Sequence, residues 1–561
     1  MDTITSRFKI IKSLLPSVVI LLISLILMNI WNHVNQTPNS TAILKPSETK
    51  SAISTIFPTN TIPISITPLQ RLAKTQSLIP TLPSETETHV QYPSVTPIPV
   101  ETKSQDTKTP TITKTKFSTL QPIVSSTVYP TQIMVNYPVQ MPKIGVETHD
   151  LTKIGRLDQI QLSGVHWIRY NGLLWSMVEP IEGERNWEAV AQFERGLREI
   201  SSRGINLILV VRSTPTWAQK LIGNYCGPVR SDKLDAFAKF MGDLVARYSI
   251  PPYNIKYWEI GNEPDIDPNL VPPDSLMGCW GNDQDVYYGG GYYAEMLKRI
   301  YPMIKIVDPE AQLMIGGLLL DCDPANPPPG KECKSSLFLE GILEEGGALD
   351  FDIVSFHGYP LYNGTLQSDE YFPAWQERGG VVMGKINFLR EVLAKYGITK
   401  PLMHTESALL CPEWNKLLCN PPVDDFYEKQ ADYLVRLYIR NWAADIYGTI
   451  WYQFEGPGWR YSGLVNADDS PRPAYTALKY LTNELDQSVF NRTVTQYSYL
   501  QGYEFIKYSM NVWVLWAADE NVHTIELPNN TLNVYDKYGN PIIPKDRKIS
   551  VLSPIYVELG Q

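Results

Sequence analysis

From residue 143 onward the chain alternates short apolar runs with longer amphipathic ones. The runs KIGVET (143–148), VHWIRY (165–170), INLILVV (205–211), NIKYWEIG (254–261), QLMIGG (312–317), FDIVSFH (351–357), PLMHTE (401–406) and GTIWYQF (448–454) predict eight strands. Between them, WEAVAQFERGLREISSRG (187–204), SDKLDAFAKFMGDLVARY (231–248) and FYEKQADYLVRLYIRNWAADIYG (426–448) repeat apolar residues three and four apart, the spacing that gives a helix one buried face. PAYTALKYLTNEL (473–485) predicts a further helix with proline in its first turn, where the missing N–H costs nothing. Eight strand–helix alternations predict an α/β fold, a (β/α)8 TIM barrel over 141–485. An open doubly wound nucleotide fold would carry G-x-G-x-x-G in its first turn, and KIGVETHD does not. After residue 486 the apolar period falls to two. YEFIKY, NVWVLWAA, HTIEL, TLNVYDKYG and ISVLSPIYVEL predict a small β-sandwich over 486–561.

The first 140 residues have a different texture. Residues 13–31 carry no charge and are mostly Leu, Ile and Val, after a basic flank (1–12) holding Arg7, Lys9 and Lys12. That length can span a bilayer, and the positive-inside bias leaves the remainder outside the cell. A cleaved signal peptide is the rival reading, but NIWNHVNQT at the end of the run has no A-x-A arrangement of small residues. Residues 32–140 are rich in Ser, Thr and Pro, which cannot bury enough apolar surface to fold. They predict an extended stalk, with an upper limit of roughly 300 Å at about 3.1 Å per residue.

Charge and cysteines narrow the function. The net charge is −10, and no basic cluster follows the N-terminal flank. Phosphate backbones need a Lys/Arg footprint, so nucleic acid is excluded as a partner. The six cysteines include no C-x-x-C and the seven histidines no H-x-x-x-H, so no metal site is expected. Cys322/Cys333 and Cys411/Cys419 each bracket a short proline-containing loop, as local disulfides would, which leaves Cys226 for Cys279. That pattern suits an oxidising compartment, with free buried thiols as the alternative. Aromatic residues make up 11% of the chain, with 14 Trp, many in probable loops where ring faces suit sugars.

In a barrel of this kind, chemistry gathers at the carboxyl ends of the strands. Strand two ends at Arg169, with Asn171 after it, and strand four at Asn262-Glu263. Strand six ends at His357 with Tyr359 beyond, strand seven ends at Glu406, and strand eight contains Trp451. Two carboxylates therefore leave different strands at one mouth. Such a pair suits glycosidic cleavage, in which one group protonates the leaving oxygen and the other stays ionised to attack the anomeric carbon. A salt-bridging or helix-capping role is the plainer reading of either glutamate taken alone. His357 and Glu147 also lie near strand ends and are candidates to hold sugar hydroxyls. Trp217, Trp280, Trp414 and Trp459 are candidates for further subsites, against simple loop packing.

WEIGNEPD (258–265), followed by HTES (404–407), resembles the clan A glycoside hydrolases. The resemblance extends over 141–561 and includes WSMVEPIEGERNWE (175–188), TPTWA (214–218) and SGLVNADDSPRPAY (462–475), which look most like family 39-type β-xylosidases and their relatives. It implies a retaining enzyme with Glu263 as proton donor and later base, and Glu406 as nucleophile. Asn262 would bind the sugar 2-hydroxyl, and Arg169 would keep Glu406 ionised with help from a Tyr359 hydrogen bond. Trp451 would floor the first sugar subsite, and a neighbouring carboxylate would hold Glu263 protonated. Pro264 would end the strand. No cofactor is implied, and the substrate would be an oligo- or polysaccharide, with sugar, linkage, exo or endo mode and oligomeric state open.

The sequence thus reads as a membrane-tethered extracellular glycoside hydrolase. A non-catalytic carbohydrate-binding protein on the same barrel is the alternative, disfavoured by the presence of both glutamates. Deleting residues 1–140 is expected to leave the turnover number on aryl glycosides unchanged, because a segment without a core contributes nothing to the barrel. A folded but inactive truncation would contradict the stalk assignment.

Overall fold

The computed structural model describes residues 143–367 and 373–560. The flank, apolar run and stalk expected over 1–12, 13–31 and 32–140 lie outside the described residues. Among the described residues, no helix is long and apolar enough to cross a membrane.

All eight expected barrel strands form: β1 Ile144–Glu147, β2 Trp167–Leu174, β3 Asn206–Arg212, β4 Tyr257–Ile260, β5 Gln312–Ile315, β6 Val354–His357, β7 Leu402–Ser407 and β8 Thr449–Trp451. They pair in parallel in the order β5-β4-β3-β2-β1-β8-β7-β6. Parallel bridges from Met314 to Ile353 and from Leu318 to Phe356 join β5 to β6 and close the ring. Each strand is followed by a helix: α1 Ile154–Leu162, α2 Ala191–Ser202, α3 Leu234–Tyr248, α4 Gly290–Val307, α5 Phe338–Glu344, α6 Met383–Lys395, α7 Asp424–Ala443 and α8 Pro473–Glu484. Pro473 opens α8 in its first turn, as the sequence predicts.

The floor of the barrel is one apolar layer of Trp167, Ile208, Met314, Ile353, Met403 and Ile450. β1 contributes only Gly145 there, because a Cβ would lie 2.4 Å from the Trp167 Cβ and 2.5 Å from the Ile450 Cδ1. One step up β1, β2 and β4 the interior becomes ionic, with Glu147, Arg169 and Glu259 all fully buried. The hydrophobic floor thus seals the lower end and leaves the polar layer to support the mouth.

After α8 the chain forms a five-stranded antiparallel sheet in the order β13-β15-β11-β10-β9, covered by the two-stranded sheet β12-β14. The strands are β9 Val489–Thr493, β10 Leu500–Lys507, β11 Met510–Ala517, β12 His523–Glu526, β13 Thr531–Asp536, β14 Lys548–Val551 and β15 Ile555–Gly560. β9, an edge strand with three exposed residues in a row, has no apolar alternation to announce it. Between the two sheets lie Trp513, Leu515, Val557, Ile525, Ile549 and Val551. The opposite face packs on the barrel's helices, with Phe505 5.0 Å from Trp442 of α7 and Tyr556 5.0 Å from Tyr480 of α8. Lys537 adds a buried ion pair to Asp432 of α7 at 2.6 Å. Three disulfides, Cys226–Cys279, Cys322–Cys333 and Cys411–Cys419, tie the loops above β3–β4, β5 and β7.

Candidate active site

The guanidinium of Arg169, projected inward from β2, is the centre of the barrel mouth. Its Nε and one terminal nitrogen form a two-pronged contact with Glu259 of β4, at 2.9 Å each. That second nitrogen also donates to the Asn262 side-chain oxygen at 2.8 Å. The other terminal nitrogen donates at 2.5 Å both to Glu147 of β1 and to Glu406 of β7. Five contacts thus join four strands through one planar cation, a geometry that lysine cannot reproduce.

Local backbone geometry delivers the two glutamates. β4 stops at Ile260, and Gly261 (φ 77°) and Glu263 (φ 54°) both take left-handed backbone conformations. Strand termination is therefore the work of Gly261, not of Pro264 as the sequence suggested. Pro264 instead packs against Gly316, where an added Cβ would come within 2.8 Å of its ring. On β7, His404 bonds Asn441 and Ser407 reaches Tyr433, both on the outer helix α7. Two residues therefore fall between consecutive outward positions, and the pairing register shifts there. This irregularity turns Glu406 into the mouth.

The carboxylates differ in their partners. Glu406 accepts from Arg169 and, on its other oxygen, from the Tyr359 hydroxyl at 2.5 Å. Glu263 meets the Nδ1 of His357 at 3.0 Å, and the same nitrogen lies 3.5 Å from Glu406. Ligand atoms of Glu263, His357 and Glu406 all lie within 4.8 Å of one another. These three are the one such trio among the described residues close enough to share a cation. Arg169 and Tyr359 already occupy both Glu406 oxygens, and a cation there would face the guanidinium, so the donor set does not suit a metal.

Burial pushes the Glu263 carboxyl up to about 7, while Lys385 and Arg169 pull it down and Glu147 adds an upward push. The expectation that a neighbouring carboxylate holds it protonated is thus corrected in its main cause: burial is the largest, and the anion that adds to it is Glu147. Burial also raises Glu406, against the opposing charge of Arg169. His357 is pushed by burial down to about 4, so it is neutral at neutral pH. Its buried Nε2 has no partner among the described residues and rests against Gly317, where a Cβ would lie 2.0 Å away. A bare lone pair costs less there than a bare N–H, which assigns the proton to Nδ1 as a donor to the carboxylates. Burial works to raise Glu147, yet Arg169 and His149 hold it below the usual carboxylate range.

Of the residues singled out from the sequence, Arg169, Asn262, Glu263, His357, Tyr359 and Glu406 converge in one cluster of polar contacts at the barrel mouth. Asn262 spends its oxygen on Arg169, leaving its amide nitrogen as an unused donor among the described residues. Glu147 is present but has no free oxygen for sugar: Arg169 takes one, and His149 and Asn171 take the other at 2.9 Å each. Trp451 is not at the mouth. Ile450 points into the barrel floor, so Trp451 points outward, fully buried near Tyr433 and donating to Ser462 O at 2.9 Å. Its successor Tyr452 faces the site instead, 5.4 Å from the His149 ring and 6.1 Å from Tyr359. Trp459 stands edge-on to Tyr359 at 5.4 Å and is half exposed. Trp414 is exposed, whereas Trp280 is core and Trp217 packs on Trp175. Glu259, His149, Tyr452 and Lys385 were missed. A glutamate inside the apolar run YWEIG was the available signal for Glu259.

No protein-family model and no curated protein matches the sequence. Solved structures share the fold. A family 39 glycoside hydrolase from the gut symbiont Bacteroides cellulosilyticus WH2 is similar with a TM-score of 0.56 at 19% identity, over 75% of this chain and 81% of that one. A conserved exported protein from Bacteroides fragilis gives 0.56 at 12% identity, over 75% and 97%. A GH30 endoxylanase from Clostridium papyrosolvens C71 gives 0.50 at 10% identity, again over 75% and 97%. The barrel and its β-domain are thus an architecture that glycoside hydrolases use.

Replacing Arg169 with Met is expected to destabilise the protein by about 3–5 kcal/mol at neutral pH, because it leaves buried carboxylates uncompensated. In the wild type, the depressed Glu147 contributes stability that is present above the ordinary carboxylate range and lost as pH falls through its lower folded value. The variant lacks that contribution, so its deficit in chemical denaturation should shrink on acidification. A deficit independent of pH would contradict the ionic account.

Proposed function

We propose that the protein is a clan A glycoside hydrolase that cleaves β-glycosidic bonds with retention, outside the cell and tethered to the membrane. The observation that carries this reading is the approach of the Glu263 and Glu406 oxygens within 4.8 Å, at the mouth of one barrel. Retaining pairs stand roughly 5–5.5 Å apart and inverting pairs about 6.5–9.5 Å, so this close approach supports the retaining reading.

In the first step Glu263 gives its proton to the glycosidic oxygen while Glu406 attacks the anomeric carbon from the opposite face. The C–O bond to the leaving group breaks, the leaving sugar departs as an alcohol, and an ester forms on Glu406. Esterification removes one of the anions that offset Arg169. Arg169 is one of two cations that favour ionised Glu263, so the ester prepares Glu263 to act as base. In the second step Glu263 takes a proton from water, whose oxygen attacks the anomeric carbon and frees Glu406. The unused amide donor of Asn262 suits a 2-hydroxyl, and Tyr359, Tyr452 and Trp459 suit the apolar faces of sugar rings.

The uncharged run at 13–31 after a basic flank supports the tether, and three disulfides suit an oxidising exterior. Plant-type or microbial β-linked oligo- and polysaccharides are the proposed substrates. The endoxylanase among the structural neighbours makes xylan oligomers the first to assay.

Glu263→Gln is expected to slow substrates with poor leaving groups by about 10²–10⁴-fold and activated aryl glycosides far less. Glu406→Gln should fail on every substrate. Azide with an activated substrate should rescue Glu263→Gln to a β-glycosyl azide and Glu406→Gln to an α-azide. The reverse pairing would exchange the roles. In the wild type, kcat/KM should fall as pH rises through about 7, because Glu263 then loses the proton that it must donate.

A further inference from the structure

Lys385 enters the barrel wall from the first turn of α6 and is only 4% exposed. A lysine so deep normally rests against a carboxylate, because an unpaired buried ammonium is costly. This one does not. Its Nζ donates to two backbone carbonyls, Leu319 O at 2.6 Å and His357 O at 2.8 Å. Both belong to segments that hold Glu263. His357 ends β6 and bonds Glu263 through its ring. Leu319 and Leu320 lie just beyond β5, and their N–H groups donate at 2.8 Å each to Asp265, two residues after Glu263. Lys385 thus fastens, from behind, the two supports on either side of one glutamate.

The charges around it are few. Asp265, Glu263 and Asp321 face Lys385 from the loops after β4 and β5, its ammonium stands 6.0 Å over the Trp375 ring, and neutral His404 of β7 lies within its field. Glu263 in turn is faced by Lys385, Arg169, Glu147 and the adjacent Glu406, with neutral His357 in contact and Asp265 close by. Arg169 is shared among Glu147, Glu259 and Glu406, whereas Lys385 has no carboxylate in contact among the described residues. Its field on Glu263 is therefore the less compensated of the two. Burial lowers Lys385 to about 8 and raises Asp265 to about 7, so the ammonium persists through the range in which Glu263 titrates.

We propose that Lys385 is a positioning residue for Glu263: it fixes His357 and the Leu319 turn by their carbonyls and supplies the positive field against which Glu263 releases and regains its proton. The proposal rests on the acid/base reading of Glu263 only for its effect on rate. Without the ammonium, ionised Glu263 is less favoured, and the step that needs Glu263 as base suffers.

The test uses the full-length protein with ¹³C-labelled glutamate carboxyls, the Glu263 signal being the one that Glu263→Gln removes. Lys385→Gln keeps N–H donors without the charge, and Lys385→Arg keeps the charge. In Lys385→Gln, the Glu263 midpoint and the basic limb of kcat/KM should both rise by at least about one pH unit, the size of one charge acting across about 12 Å at an effective dielectric near 20. Lys385→Arg should restore both towards the wild type. Asp265→Asn removes an opposing anion and should move both downward, which provides a folded test if the Lys385 variants do not fold. Wild-type midpoints in Lys385→Gln, equal shifts in the Gln and Arg variants, or no shift in Asp265→Asn would overturn the proposal. A midpoint that moves while the rate limb stays would instead sink the acid/base reading of Glu263 and leave the role of Lys385 standing.

Discussion

One guanidinium holds the barrel mouth together. Three carboxylates of the site, Glu147, Glu259 and Glu406, touch Arg169 and are almost wholly removed from water. Each carries a desolvation penalty of several kcal/mol, which only close, hydrogen-bonded pairing offsets. Arginine provides five donors in a rigid plane, and the cluster uses that plane to fix β1, β2, β4 and β7 relative to one another. The apolar floor beneath, sealed where Trp167 and Ile450 close over Gly145, keeps water from entering from below. Glu406 is thus held as part of a rigid ionic lattice.

Glu263 is held differently. Its side chain meets a neutral imidazole, not a cation, and its backbone is bent out of β4 by two successive left-handed turns around Asn262. Burial raises both carboxyls, but of the two only Glu406 touches a cation, whereas Glu263 meets the imidazole. That division is what acid and nucleophile roles require. The β-domain contributes at a distance: Lys537 braces α7, whose Asn441 and Tyr433 meet the outward side chains of β7 beside Glu406.

Much of this was legible in the sequence. Buried parallel strands must be apolar on both faces, so all eight stood out as runs, and the residues after each run named the mouth. What escaped did so for physical reasons. Trp451 was chosen as the conspicuous aromatic of its run, but side chains alternate, and the parity fixed by Ile450 hands the mouth to Tyr452. β9 is an exposed edge strand and carries no alternating signal. Glu259 read as part of an apolar run because its charge is cancelled only by a residue ninety positions away. Lys385 lies on a helix whose other buried positions are ordinary, and nothing local shows that it turns inward.

The central claim is that Glu406 forms a covalent bond to sugar within this lattice. Incubating the protein with activated 2-deoxy-2-fluoro-β-glycosides, which form the glycosyl ester but hydrolyse it slowly, and mapping the product by mass spectrometry tests it most directly. The account predicts one added fluoroglycosyl group per chain, on the peptide containing Glu406, released when an acceptor sugar is supplied. A label on Glu263, or steady turnover of the fluoroglycosides with no adduct on any peptide, would contradict it.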